Sequence, residues 1–237
     1  MPQKLLEEVP GRALAIFAHP DDSDVAAGGT LARWTSAGCE VHVVVCALGD
    51  KGSLKIGEDV AQLVERRAQE LQAAQDILGV HKIHQLNHPD GELENDLSLR
   101  RELVSIIRSV RPEVMVCPDP TAVFFSEHYF NHHDHRSVGF AALDAASPAA
   151  RSPLYFPDLG NPATVEIAYM SGTLEPNISV DITTTIEAKV EAILCHQSQL
   201  GETSEWFRLV VRERAEQAGR RAGVSFAEAF RRIGLNN

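Results

Sequence analysis

A chain of 237 residues with 44% hydrophobic and 23% charged residues has the composition of a folded globular protein, not of a disordered or fibrous one. Its formal net charge of −11 argues against a nucleic-acid partner, which needs a basic footprint. Four widely separated cysteines (Cys39, Cys46, Cys117, Cys195) without a Cys-x-x-Cys pair fit reduced thiols in a cytoplasmic protein. No leader-like apolar core opens the chain, and no apolar run approaches the roughly 18 residues of a membrane span.

In chain order, residues 12–18 are apolar on both faces, as buried parallel strands are, and 23–38 have helical spacing closed by Gly38. A second such strand is expected at 40–48, a long helix at 58–80 stopped by Gly79, a helix at 97–112 ended by Pro112, and a short buried strand at 113–120. This alternation predicts an α/β fold: a Rossmann-like, mostly parallel sheet flanked by helices on both faces, in a single domain spanning 1–237. Beyond residue 120 the rhythm loosens. A long loop over 121–135 enters a helix at 136–146, and 147–164 is irregular, with Pro148, Pro153, Pro157 and Pro162. Stretches 165–171 and 177–182 add strands, and 183–200 and 204–234 read as closing helices.

Two clusters carry chemistry. "AHPDD" places His19, Asp21 and Asp22 directly after the first strand, where open α/β sheets bind ligands. One of Asp21, Asp22 or Asp24 would suffice to cap the following helix; two adjacent carboxylates and an imidazole exceed that need. "NHHDH" holds His132, His133, Asp134 and His135 at the entry of a later helix. Imidazoles in such number are costly to bury unpaired, and with the first cluster they supply the N/O donors of a three-ligand zinc centre with an open position. His81, His84 and His88 flank a strand and loop with no matched carboxylate and read as structural.

The sequence resembles the PIG-L/LmbE-like zinc-dependent deacetylases. The resemblance rests on "AHPDD" followed by Gly28-Gly29, on the later H-x-D-H motif over 132–135, and on "RAQELQAAQDILGV", "HPDGEL", "VDITTTIEAKVEAILCHQSQ" and "SFAEAF". It implies His19, Asp22 and His135 as zinc ligands, with Fe²⁺ or Co²⁺ as possible substitutes in an N/O site. Asp21 would be the general base, His132 the partner of the oxyanion or leaving amine, and Asp134 the carboxylate that holds His132 in its tautomer. Arg67 and Asp90 match substrate-contacting positions; their alternatives are an ion pair with Glu70 and a plain turn. His196 either lines the site or packs behind it, and His133 faces solvent. Relatives carry a Tyr shortly before H-x-D-H; here the expected register falls on Phe130, leaving Tyr129 or His132 alone to assist the oxyanion.

The implied activity is removal of an N-acetyl group from an N-acetylglucosamine-type glycoside, with an amino-sugar substrate and a homo-oligomer, trimer or hexamer, as the implied assembly. Amide cleavage on a thiol-cofactor conjugate is the neighbouring reading. A nucleotide-binding module is disfavoured because "AHPDD", not G-x-G-x-x-G, follows the first strand.

Overall fold

The structure, a computed structural model, describes residues 4–127 and 129–235. Its elements run β1 (Lys4–Leu5), β2 (Arg12–Phe17), α1 (Asp22–Ser36), β3 (Glu40–Ala47), α2 (Val60–Leu78), β4 (Lys82–His88), α3 (Leu97–Val110) and β5 (Val114–Pro118). A small hairpin, β6 (Phe124–Phe125) and β7 (Tyr129–Phe130), precedes α4 (His133–Asp144). β8 (Ile167–Ser171), β9 (Ile178–Asp181), α5 (Ile186–Leu194), α6 (Gln197–Leu200), α7 (Ser204–Ala222) and β10 (Ala227–Gly234) complete the chain.

Eight strands form one sheet in the order β1-β9-β10-β8-β5-β2-β3-β4. β8, β5, β2, β3 and β4 are mutually parallel; β10 runs antiparallel between β8 and β9. The parallel strands β2, β3, β5 and β8 are largely apolar on both faces because helices cover both faces, whereas the edge strand β4 is polar and half exposed. In β2, Ala13, Ala15 and Phe17 join one core with Trp34, Tyr169 and Phe230, while Leu14 and Ile16 join the other with Val44, Leu103 and Met115. Helix ends follow local chemistry. Asp59 and Asp96 accept from the backbone N–H groups of Gln62 (3.2 Å) and Leu99 (2.8 Å), and Gly79 ends α2 at φ +72°.

The chain leaves β2 toward β3 and β4 on one side, then crosses back through α3 to β5 on the other. The strand order therefore reverses between β2 and β5, and the crevice beyond their carboxyl ends is where such sheets place a ligand. His19 follows β2, and the segment bearing His132 and His135 follows β5.

Three expectations for the C-terminal half are corrected. Residues 204–234 are not one helix: α7 stops at Gly223 (φ +80°) and the chain returns as β10. A Cβ at Gly219 would stand 2.6 Å from Ser225 O, so that glycine lets the return strand lie against the helix. The "AEAFRRIG" stretch lacks β-branched signal; the slot between β8 and β9 imposes the strand. The 121–135 loop contains the β6–β7 hairpin, and α4 begins at His133. Residues 183–200 are broken at Cys195–His196 into α5 and α6.

α1 and α5 approach closely over the glycine pair: a Cβ at Gly29 would meet Ile182 Cδ1 at 2.7 Å, and one at Gly28 would meet Lys189 Cγ at 3.3 Å. There the buried Lys189 Nζ donates to Val25 O (2.7 Å) and to Glu228 Oε1 (2.5 Å), and the Glu228 carboxylate accepts from the Gly29 and Thr30 N–H groups. A residue of the last strand thus seats on the main chain of the first helix. Among the described residues no helix is long and apolar enough to cross a membrane.

Candidate metal centre

Pro20 ends the first strand's run, and the turn that follows folds Asp22 back. Its Oδ2 accepts from the His19 backbone N–H at 2.8 Å. Asp21 occupies the N-cap position of α1, yet its side chain makes no capping bond. The pair of carboxylates is therefore not a doubled cap. On the other side of the crevice, His132 takes the N-cap position of α4, and His135 projects from the first turn three residues on.

The turn and the helix converge. His19 Nδ1 and His135 Nε2 lie 3.2 Å apart, His135 Nε2 is 3.1 Å from Asp22 Oδ1, and His19 Nδ1 is 3.4 Å from Asp22 Oδ2. Donors ~2.0–2.1 Å from a tetrahedral centre stand about 3.3 Å from one another, so these separations match the edges of a zinc tetrahedron, with one Asp22 oxygen facing each imidazole. Two imidazoles and a carboxylate suit zinc and its first-row neighbours better than Mg²⁺ or Ca²⁺.

The nitrogens turned away from the triangle are also engaged. His19 Nε2 faces Asp90 Oδ1 at 3.0 Å and Asp134 Oδ2 at 3.3 Å, and His135 Nδ1 faces Asn131 Oδ1 at 3.2 Å. The Asn131 amide NH₂ donates to Ala122 O (2.8 Å), which fixes its oxygen toward the ring. These acceptors hold protons on His19 Nε2 and His135 Nδ1, leaving Nδ1 and Nε2 respectively as lone-pair donors. This is the supporting shell that metal-bound imidazoles need.

Electrostatics agree. Burial opposes charge on His19, but the Asp22 carboxylate and hydrogen bonds that the ring donates to Asp134 and Asp90 outweigh it and lift its pKa to about 12. Burial opposes charge on His135 too, and Asp22 again raises its pKa. For Asp22, burial favours the neutral acid, yet His135 and His19 hold it well below the usual carboxylate range. The carboxylates gather positive charge here as protons, and a divalent cation supplies it as a metal. His132 differs: burial and then the His19 charge lower its pKa, which keeps the ring neutral.

Of the residues expected at the site, His19, Asp21, Asp22, His132, Asp134 and His135 assemble there, with contacts that revise some roles. Asp134 does not bond His132 through its carboxylate. Its backbone N–H donates to His132 Nδ1 (3.2 Å), while its oxygens accept from the Gly91 (2.7 Å) and Leu93 (3.3 Å) amides. The helix-entry geometry, not a carboxylate, sets the His132 tautomer with its proton on Nε2. Arg67, expected against substrate, is 3% exposed and donates to Asp21 Oδ1 (3.0 Å) and Gly49 O (3.0 Å). Asp90 likewise turns to His19. His196 packs behind α1, its Nε2 2.7 Å from the buried Asp24, whose carboxylate also takes Gln75 Nε2 (2.6 Å).

Tyr129 lines a cavity of about 370 Å³ that opens on Asp22 and His135, with Phe125, Asn131, Val211 and Arg214 among its walls. Phe130, on the opposite face of its strand, lies under the Arg136 guanidinium at 5.0 Å. His133 faces Glu94 and Ser137 at the surface, as expected. Asn131 went unread in the sequence; its position one helical turn before His135 was the available signal.

A parallel sheet with an imidazole–carboxylate centre at its switch point defines a class of metal-centred α/β enzymes, and known proteins refine that class. A family model described as PIG-L, GlcNAc-PI de-N-acetylase, matches residues 14–146, and the chain belongs to this family. It is 33% identical over 224 residues to the diacetylchitobiose deacetylase of Thermococcus kodakarensis, covering 93% of this chain and 82% of that one. It is 34% identical over 191 residues to the 1D-myo-inositol 2-acetamido-2-deoxy-alpha-D-glucopyranoside deacetylase of Rhodococcus jostii, covering 68% of this chain and 61% of that enzyme's length. Among solved structures, N,N′-diacetylchitobiose deacetylase from Pyrococcus horikoshii, complexed with its inhibitor MPG, superposes with a TM-score of 0.86 at 31% identity, covering 94% of this chain and 84% of that one.

Proposed function

We propose that the protein is a zinc-dependent N-deacetylase that hydrolyses the acetamide of an N-acetylglucosamine-type glycoside, releasing acetate and a free amine. The observation that carries this reading is the 3.1–3.4 Å triangle of His19 Nδ1, Asp22 and His135 Nε2, with Asp21 held beside it by Arg67. The similarity to deacetylases of N-acetylated sugars supports the substrate class.

His19, Asp22 and His135 would hold a zinc ion, which when bound would supply Lewis acidity for water activation and carbonyl polarisation. The remaining work falls to the chain. Asp21 Oδ1 is tied to Arg67, which leaves Oδ2 to take a proton from the attacking water, and its negative charge reaches the site, being felt at His135. His132, neutral and protonated on Nε2, offers a donor to the carbonyl oxygen as charge develops there. Tyr129, on the cavity wall, holds a position against the substrate. Asp21, once protonated, returns its proton to the departing amine as the C–N bond breaks.

The test is acetate release from N-acetylglucosaminyl glycosides by wild-type and Asp21→Asn protein, with zinc content measured in parallel. Asp21→Asn keeps its zinc and loses ~10²–10⁴ in kcat. Undiminished turnover in that variant overturns the base assignment, and preferential turnover of a bulky S-conjugate amide overturns the sugar assignment.

A further inference from the structure

A second group of metal-ligating side chains lies at the other end of the sheet. Glu40 and His42 open β3, and His81 stands immediately before β4, its backbone N–H bonded to Val41 O at 2.8 Å. One donor atom from each of Glu40, His42 and His81 lies within 4.8 Å of the others. His42 Nε2 is 2.9 Å from Glu40 Oε1, and the His42 and His81 ring centroids are 5.2 Å apart. The carboxylate that no residue near His81 supplies in the sequence comes from the neighbouring strand.

The group has its own supporting contacts. His42, only 6% exposed, places Nδ1 3.1 Å from His84 Nε2; register pairs His84 with Val44, so the two imidazoles are diagonal neighbours on one face. The second oxygen of Glu40 lies 3.6 Å from Arg12 Nε. An imidazole ligand with its other nitrogen engaged and a carboxylate with its other oxygen engaged are the two features that orient metal ligands. A donor set dominated by imidazole disfavours hard cations and favours zinc-class ions, which bind imidazole through neutral nitrogen.

We propose that Glu40, His42 and His81 form a second divalent transition-metal site, supported by His84 and Arg12, which fastens the edge strand β4 to β3. It shares no residue with the centre beyond β2 and does not depend on the proposed deacetylation. His81 is exposed and Glu40 only half-buried, so both can be changed without opening the core.

The test is equilibrium dialysis of metal-stripped full-length protein against micromolar zinc, with bound metal counted by elemental analysis and unfolding followed thermally. Wild-type protein binds two equivalents. His81→Asn and Glu40→Gln bind one, keep wild-type turnover within about twofold, and lose the part of the zinc-induced Tm rise that Asp22→Asn retains. Asp22→Asn binds one equivalent and loses turnover, which separates failure of this site from failure of the deacetylase reading. A single equivalent in wild-type protein, or a second equivalent that survives in both His81→Asn and Glu40→Gln, overturns the proposal.

Discussion

The two imidazole groups occupy opposite ends of the parallel strands of one mostly parallel sheet and use the same side-chain types. At the carboxyl end, His19 and His135 are enclosed and each rear nitrogen has an oxygen acceptor: Asp90 and Asp134 for one, Asn131 for the other. At the amino end, His42 is buried but its rear nitrogen meets another imidazole, and His81 stands in solvent. Ligand identity is therefore a weak guide to what a site does. The groups behind the ligands, and the open cavity in front of them, separate a reactive centre from a fastening.

That contrast can be tested by substitution, beginning with the most damaging change. Asp22→Ala removes a ligand from the triangle; metal analysis shows the bound ion lost from the carboxyl-end centre, and acetate release falls to background. Arg67→Met frees Asp21 from its buried partner and keeps the ion: kcat falls ~10²-fold or more while KM changes little, because the contact is with Asp21, the proposed base. A KM-dominated effect in steady-state kinetics would restore Arg67 to the substrate. Asn131→Ala and Asp90→Asn each weaken zinc affinity ~10–100-fold in competition with a chelator, whereas neither alters the amino-end group.

Acidity offers a gentler probe. The metal-free carboxyl-end site holds protons on His19 and His135, whose pKa values are raised, so zinc binding must expel them. Calorimetry in buffers of different ionisation enthalpy should detect proton release near neutrality, and apparent affinity should rise with pH. The sign for stability is the reverse. In metal-free protein these protonated imidazoles stabilise the fold most below the ordinary histidine pKa of ~6.5, and that contribution is lost as pH climbs through their raised values. The smallest effect on activity belongs to His196→Ala. It leaves the buried Asp24 short of one partner and lowers stability by ~1–3 kcal/mol on denaturation while turnover per folded molecule is kept.

Much of the candidate site was legible because its proposed donors sit in two short runs, each at a place where a regular element begins or ends. "AHPDD" follows β2 and "HHDH" opens α4, so the donors needed no long-range information to be noticed. The supporting shell was not legible in the same way. Asp90 meets His19 across 71 positions and Arg67 meets Asp21 across 46, and only the folded sheet brings them together. Arg67 and Asp90, expected against substrate, lie against Asp21 and His19. The parallel half of the sheet could be read from its apolar strands. β10 could not, since alternation in "AEAFRRIG" is weak and its pairing partners, from Asp181 back to Ile167, lie far earlier in the chain.

The seat that Glu228 and Lys189 take on α1 gives the molecule an order of completion. Every candidate donor of the carboxyl-end centre has been synthesised once residue 135 is added, yet the helix carrying Asp22 receives main-chain partners from a strand made nearly a hundred residues later. A nascent or C-terminally shortened chain therefore owns all the donors without the clamp that steadies them.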